Sequence, residues 1–102
     1  MDKTYHWNDY IYSWDNAKDE INQKKHGIEF REAMTVFDDD NALYKSDPDH
    51  SIDEDRFIII GYSKTQKLLV VCHCYREWDA IIRIFSARKA SNEEKKDYGG
   101  RL

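Results

Sequence analysis

The sequence predicts an α+β domain with two N-terminal helices, an antiparallel sheet of about four strands and a C-terminal helix. Three observations support this class. Two stretches in the first 40 residues have helical spacing, and three apolar, β-branched runs follow from residue 56 onward. Only short polar segments separate those runs, as in antiparallel hairpins. A capping-box sequence, Ser91-Asn92-Glu93-Glu94, then begins the last helix.

The helices are predicted from caps and apolar spacing. Asp15 is a good N-cap for a helix to about residue 25, and Gly27 follows it as the C′ residue. Residues 30–37 place apolar side chains at i, i+3, i+4 and i+7, which is typical of a second helix. The third helix runs from Ser91 to about residue 98. All three helices are expected to pack against one face of the sheet.

Strand segments are shorter and rich in β-branched residues. The strongest are residues 56–63, 68–76 and 80–91, and the weaker ones are residues 10–14 and 42–46. Residues 1–10 have no clear periodicity, so they are predicted to be a loose lead-in. Residues 11–102 are then expected to form a single domain, because a chain of this length supports one modest core.

Composition indicates a cytoplasmic protein. No apolar run approaches the roughly 20 residues of a membrane span, and the N-terminus lacks the apolar region of a signal peptide. Cys72 and Cys74 lie two residues apart on one predicted strand, so they cannot form an ordinary disulfide with each other. We therefore expect no membrane contact and reduced thiols.

Charge is distributed unevenly along the chain. Residues 1–55 contain 6 Lys and Arg against 15 Asp and Glu, for −9, while residues 56–102 contain 10 against 5, for +5; the sum is the overall −4. Such asymmetry favours an anionic partner for the second half. The alternative is that these charges form an ordinary solvated surface.

Several kinds of site are disfavoured by the motifs. In Cys72-His73-Cys74, strand alternation puts the two sulfurs on one face and the imidazole on the other, so the three cannot bind one metal ion. The acidic stretches 38–40 and 47–55 lack the calcium-loop pattern. No Gly-rich phosphate loop, nucleophile elbow or His-Glu-x-x-His motif is present. We therefore expect neither a metal nor a cofactor.

Cationic side chains instead accumulate on the predicted strands. Arg83, Ser86 and Arg88 interrupt the last strand just before the helix N-terminus, which predicts phosphate binding there. RNA cleavage without a metal needs little more than cations, a base and an acid. A turn near residue 78 would pair Arg76 with residues 80–82, roughly 20 Å from Arg88. A change of register by one residue would decide which of these groups His73 faces. The alternative is that each arginine merely lines the sheet.

The chain resembles the BrnT family of bacterial toxins. The resemblance covers residues 11–98 and rests on ordered motifs, which are Trp14-Asp15-x-x-Lys18, Asn22-x-x-Lys25-His26-Gly27-Ile28-x-Phe30-x-Glu32-Ala33, Val36-Phe37-Asp38-Asp39, Asp49-His50-Ser51, Glu54-x-Arg56, Gly61-Tyr62-Ser63 and Ile82-Arg83-Ile84-x-Ser86-Ala87-Arg88-Lys89-Ala90. Residues 1–10 fall outside it, and Glu29 stands where the family often has Ser.

This resemblance implies a ribonuclease toxin of a type II toxin–antitoxin system, with a RelE-like fold. It also implies a small BrnA-like antitoxin with a ribbon-helix-helix DNA-binding domain, which inhibits the toxin and represses the operon, with operator DNA contacted only through the antitoxin. Two toxins and two antitoxins are expected in the complex, and RNA is the expected substrate.

We therefore predict a metal-independent endoribonuclease that cleaves mRNA and arrests growth. The predicted phosphate and transition-state contacts are Arg83, Ser86 and Arg88, and the predicted proton-transfer residues are His73 or His26. RNA positioning is assigned to Lys25, His26, Arg56 and Arg76. The alternative is a non-catalytic domain that binds the antitoxin without cleaving RNA.

Overall fold

The fold is built on one sheet with helices on both of its faces. The computed structural model describes residues 1–47, 49 and 54–100, and these contain six strands and three α-helices. In chain order they are β1 (Asp2–Trp7), β2 (Tyr10–Asp15), α1 (Asn16–His26), α2 (Phe30–Met34), β3 (Leu43–Ser46), β4 (Phe57–Tyr62), β5 (Leu68–Arg76), β6 (Ile81–Lys89) and α3 (Asn92–Gly99). A 3₁₀ turn, Thr35–Asp38, continues α2. The predicted α+β class is confirmed. Of the Asp49-His50-Ser51 motif, His50 and Ser51 lie outside the described residues.

The sheet is larger than predicted, and it is mixed. Its strand order is β1-β2-β6-β5-β4-β3, and β2 runs parallel to β6 while the other neighbours are antiparallel. The expected sheet of about four antiparallel strands was therefore wrong. So was the expected order of elements, because a β-hairpin precedes α1 and the second helix ends at Met34 rather than near residue 37. The expected RelE-like architecture does not match this arrangement.

The first ten residues are not a loose lead-in. Asp2–Trp7 pairs with Tyr10–Asp15 along its whole length. The ring of Tyr5 stacks on that of Trp14 with 4.7 Å between centroids. Cross-strand aromatic pairs of this kind stabilise a hairpin, but they depend on a partner strand that the segment itself does not reveal.

The helix caps follow the sequence closely. The side chain of Asp15 accepts a hydrogen bond from the Ala17 amide at 3.3 Å, and Gly27 ends α1 with φ of 71°. At α3, the Ser91 hydroxyl accepts from the Glu94 amide and the Glu94 carboxylate accepts from the Ser91 amide. The three predicted caps, at Asp15, Gly27 and Ser91, are therefore present.

The main core lies between one face of the sheet and the two helices α1 and α2. We call this side the helix-covered face. Trp14, Phe30, Ile59 and Ile84 are almost fully buried there. A smaller cluster, Ile60, Val70, Ala90 and Tyr98, lies on the opposite side beneath α3. We call that opposite side the outer face.

A β-bulge interrupts β6 in the middle of the cationic segment. Cys72 pairs with Ser86 and His73 pairs with Ile84, so Phe85 has no direct partner on β5. The extra residue changes the alternation, and Ile84 and Ala87 both reach the main core. Because of this shift, odd-numbered residues of β6 before the bulge lie on the same face of the sheet as even-numbered residues after it.

Asn22 completes the free edge of β6. The parallel pairing of β2 covers β6 only from Ile81 to Arg83. Farther along, the side chain of Asn22 donates to the Ala87 carbonyl at 2.8 Å and accepts from the Ala87 amide at 3.1 Å. It also donates to the Ile28 carbonyl at 2.9 Å. One side chain thus replaces a strand neighbour and joins α1 to the sheet.

Within the described part of the chain, no helix is both long and apolar enough to cross a membrane.

Candidate functional site

A cleft of about 310 Å³ opens on the outer face beside the bulge of β6. Its walls come from several regions that are far apart in sequence. Lys18 extends from α1, Arg56 lies just before β4, and Phe85, Ser86 and Arg88 lie on β6. The predicted residues Arg56, Ser86 and Arg88 are therefore brought together.

The ring of Phe85 is the centre of a positively charged cluster. The guanidinium carbon of Arg56 lies 3.9 Å from the ring centroid, the Lys18 ammonium 5.5 Å and the guanidinium carbon of Arg76 5.9 Å. An aromatic face attracts cations at these distances. Phe85 therefore offsets part of the repulsion among three cations and holds them at one place. We call Lys18, Arg56, Arg76 and Phe85 the cation cluster.

Arg88 is held in a fixed orientation at the cleft by the start of α3. Its two terminal nitrogens donate to the two carboxylate oxygens of Glu94 at 2.7 and 2.8 Å. The Arg88 guanidinium, together with the Ser91 amide, lowers the pKa of Glu94 from 4.5 to about 2, against the opposing effect of burial. The same hydrogen bonds raise the pKa of Arg88. Nη1 also donates to the Lys89 carbonyl at 3.4 Å, so three of the five donor hydrogens are engaged and two remain for a bound anion.

Arg76 reaches the site from the far side of Phe85. It pairs with Ile81 on β6, as the predicted turn required. A terminal nitrogen of Arg76 donates to Glu54 at 2.9 Å, and this bond raises the pKa of Arg76. Arg76 therefore contacts the Phe85 ring without lining the cleft, whereas Arg88 lines the cleft.

Arg83 is not part of the cleft. It lies on the outer face, but its guanidinium donates to Asp2 at 3.0 Å and to the Ser13 hydroxyl at 3.4 Å. The hydrogen bond and the charge of Arg83 lower the pKa of Asp2. Arg83 thus ties β6 to the N-terminal hairpin, and the expected cluster of Arg83 with Ser86 and Arg88 is reduced to the last two.

His73 lies on the helix-covered face and is fully buried. Its Nδ1 lies 3.1 Å from the Val71 carbonyl, and its ring contacts those of Phe37 and Tyr75. Burial lowers the pKa of His73 from 6.5 to about 4. The sheet therefore lies between His73 and the cleft, and the role of His73 in proton transfer stays a prediction that this placement does not support.

Lys25 and His26 form the last turn of α1 and do not line the cleft. Lys25 is exposed, and it follows Lys18 by about two helical turns, or about 10 Å along the helix axis. The two lysines therefore share a side of α1.

Two residues of the site were missed by residue-level reasoning, namely Lys18 and Phe85. Each left a signal in the sequence. Lys18 belongs to the motif Trp14-Asp15-x-x-Lys18, and Phe85 is the large apolar residue that breaks the alternation of β6 just before Ser86. A broken alternation beside polar residues indicates a bulge, and bulges are frequent next to functional sites.

A family model described as "Ribonuclease toxin, BrnT, of type II toxin-antitoxin system" matches residues 14–94. The chain belongs to the BrnT family. Membership in a family of type II toxin–antitoxin systems implies an antitoxin partner. The matched region includes the cleft residues Lys18, Arg56, Phe85, Ser86 and Arg88.

The fold is also similar to that of the Brucella abortus ribonuclease toxin BrnT, whose crystal structure was determined at 1.1 Å resolution. The two chains are 23% identical and superpose with a TM-score of 0.56. The match covers 78% of this BrnT-family chain and 94% of the Brucella chain. No curated protein matched the chain.

Proposed function

We propose that this BrnT-family protein is a metal-independent endoribonuclease that cleaves mRNA in the cytoplasm and arrests growth. One observation carries the proposal: the cation cluster around Phe85 borders a cleft that also contains Ser86 and Arg88. Cations and an aromatic ring on one exposed surface are the usual means of binding single-stranded RNA.

Binding would depend on the exposed edges of the arginines. The guanidinium carbon of Arg56 lies over the Phe85 ring at 3.9 Å from its centroid, so the guanidinium is already held in place at the cleft. A stacked guanidinium loses little freedom when it binds a phosphate. Arg88, Lys18 and Arg76 would contact neighbouring phosphates, and Lys25 and His26 would extend the contact along α1.

Cleavage would proceed by attack of the ribose 2′-oxygen on phosphorus. The new 2′-oxygen–phosphorus bond forms a cyclic phosphate while the bond to the 5′-oxygen breaks. Arg56 and Arg88 would stabilise the charge on the phosphoryl oxygens, and the Ser86 hydroxyl would donate to one of them. Asp47 supplies a carboxylate to the cleft wall, and we assign it as the base that takes the 2′-hydroxyl proton. Lys18, also in the cleft wall, would donate the proton that the leaving 5′-oxygen needs.

RNA cleavage in EDTA tests this proposal directly. Wild type should cut single-stranded RNA, and Arg56→Ala with Arg88→Ala should lose most of that activity, whereas Arg31→Ala should retain it. Arg31 is the matched control because it stacks on Tyr5, away from the cleft. Activity that requires added metal, or that survives the double substitution, would contradict the proposal.

A non-catalytic, antitoxin-binding domain is the second candidate. It is favoured by the ion pairs of Arg88 with Glu94 and Arg76 with Glu54, since both arginines already have carboxylate partners. Induced expression without an antitoxin separates the candidates. Growth arrest with transcript cleavage supports the enzyme, and harmless expression supports the binding domain.

We further propose that the antitoxin is BrnA-like, with a ribbon-helix-helix domain, and that two toxins and two antitoxins form the complex. Operator DNA would then be bound through the antitoxin alone. Family membership supports this proposal. Mass measurement of the co-expressed complex by light scattering would test the stoichiometry, and operator binding with and without the antitoxin would test the DNA contact.

A further inference from the structure

The helices do not cover the helix-covered face to its end. Three tyrosines on β2, β3 and β5 remain solvent-accessible there: Tyr10 is 52% exposed, Tyr44 51% and Tyr75 36%. We call these three residues the tyrosine surface. Aromatic area left open on an otherwise covered sheet face is typical of an interaction site.

The tyrosine surface is continuous with the buried aromatic rings beneath it. Ring centroids are separated by 6.4 Å from Tyr10 to Tyr12, 5.5 Å from Tyr12 to Phe37 and 4.8 Å from Phe37 to His73. A further 5.4 Å joins His73 to Tyr75. The exposed rings of Tyr10 and Tyr75 therefore pack against a buried aromatic layer, which limits their freedom and lowers the entropic cost of binding.

Carboxylates border the tyrosine surface on two sides. A depression of about 610 Å³ beside Tyr10 is lined by the carboxylates of Asp9, Asp38 and Asp40. Another of about 470 Å³ beside Tyr75 is lined by those of Asp55, Asp79 and Glu54, of which Glu54 is already paired with Arg76 at 2.9 Å. Among the described residues, neither depression is lined by a lysine or an arginine. The surface thus attracts cations and repels RNA.

Two buried polar atoms beneath the surface have no hydrogen-bond partner within the described chain. They are the hydroxyl oxygen of Tyr12 and the Nε2 atom of His73, and both residues are fully buried. Burial raises the pKa of Tyr12, and nearby Asp38, Tyr10, Tyr44 and Tyr75 raise it further. Tyr12 thus lies directly beneath the tyrosine surface, with 6.4 Å between its ring centroid and that of Tyr10.

We infer that the tyrosine surface binds an arginine-bearing segment of a protein partner. A guanidinium can stack on a tyrosine ring while it donates two hydrogen bonds to a carboxylate, and this surface offers both groups together. The cation cluster lies on the opposite face of the sheet, so the protein presents one surface for anions and another for cations. The inference does not depend on RNA cleavage.

Titration of the full-length protein with short peptides tests this inference. The probes are a peptide of alternating Arg and Ser and two matched peptides with Lys or Glu in place of Arg. The Arg peptide should bind best, the Lys peptide more weakly and the Glu peptide not at all. Asp9→Asn, Asp40→Asn and Asp79→Asn together should weaken binding of the Arg peptide by about tenfold or more.

The matched control is Glu20→Gln with Glu29→Gln and Glu93→Gln, which removes the same charge from exposed positions elsewhere. It should bind as wild type does. Tyr10→Ser with Tyr44→Ser should also lose about tenfold in affinity, and the Asn variant provides the answer if that pair fails to fold. Equal binding by the Asn variant and its control would overturn the inference. Binding of the Glu peptide as tight as that of the Arg peptide would also overturn it. So would the finding that the wild-type protein is a dimer and that Tyr10→Ser with Tyr44→Ser makes it a monomer.

Discussion

Arg88 and Glu94 face each other across the junction of β6 and α3, and two parallel hydrogen bonds of 2.7 and 2.8 Å join them. Glu94 also completes the capping box of α3 by accepting from the Ser91 amide at 2.8 Å. The same carboxylate therefore begins a helix and orients a cation of the cleft. Stability and site geometry are linked at this residue.

Replacing Glu94 should lower stability in a way that depends on pH. The pKa of Glu94 is about 2 in the folded protein against an ordinary value of 4.5. The pair therefore stabilises the fold above pH 4.5, and its contribution is lost as the pH falls toward 2. We expect Glu94→Gln to cost about 1 kcal/mol at pH 7, after allowance for solvent screening. Urea denaturation at pH 7 and again near pH 2 measures the difference in unfolding free energy between wild type and Glu94→Gln. Glu93→Gln is the control.

Removing the aromatic support should weaken the cleft without removing a charge. Phe85→Leu keeps an apolar side chain at the bulge but takes away the ring on which Arg56 stacks. We expect the affinity for single-stranded RNA to fall by about tenfold, since loss of a cation–π contact and a stacking platform costs about 1–2 kcal/mol. Fluorescence anisotropy measures the affinity. Phe37→Leu, on the other face, should bind RNA as wild type does.

His73 should matter for acid stability and not for activity. Its pKa falls from 6.5 to about 4 on burial, so the unfolded chain binds a proton more readily between these values. Stability should therefore decrease as the pH falls from 6.5 toward 4, by up to about 3 kcal/mol. His73→Phe should remove that dependence and keep RNA cleavage. Loss of cleavage in a folded His73→Phe protein would restore His73 as a catalytic candidate.

Replacing Asn22 should lower the stability of the fold strongly. It makes three buried hydrogen bonds, two to Ala87 and one to Ile28. Asn22→Ala would leave three backbone groups without partners, which should cost about 2–4 kcal/mol. Thermal unfolding followed by circular dichroism measures the change. Gln23→Ala, one position along α1, serves as the control and should cost much less.

The local features of the fold could be predicted, and the pairing of distant segments could not. The caps at Asp15, Gly27 and Ser91 follow from side-chain chemistry within a few residues, so the sequence identifies them correctly. Strand β1 depends on the stacking of Tyr5 with Trp14 on the neighbouring strand. The largely polar sequence of residues 2–7 does not reveal that partner strand. The parallel pairing of β2 with β6 likewise depends on a contact that no local pattern encodes.

The candidate site was predicted in part, for the same reason. Arg56, Ser86 and Arg88 were expected from charge on the strands, and the cleft contains all three. The separation of Arg83 from them follows from its ion pair with Asp2, in a segment predicted to be loose. His73 could not be placed, because the bulge at Phe85 sets the register that decides its face.

The pairing of β2 with β6 has a consequence for synthesis of the protein. The bonded residues Ser13 and Arg83 are 70 positions apart, and the cleft takes Lys18 from the first fifth of the chain and Arg88 from the last. A chain that emerges from its N-terminus cannot assemble this cleft until β6 has left the ribosome. We expect prematurely terminated fragments to be harmless to the cell that makes them, with toxicity appearing only in the nearly complete chain.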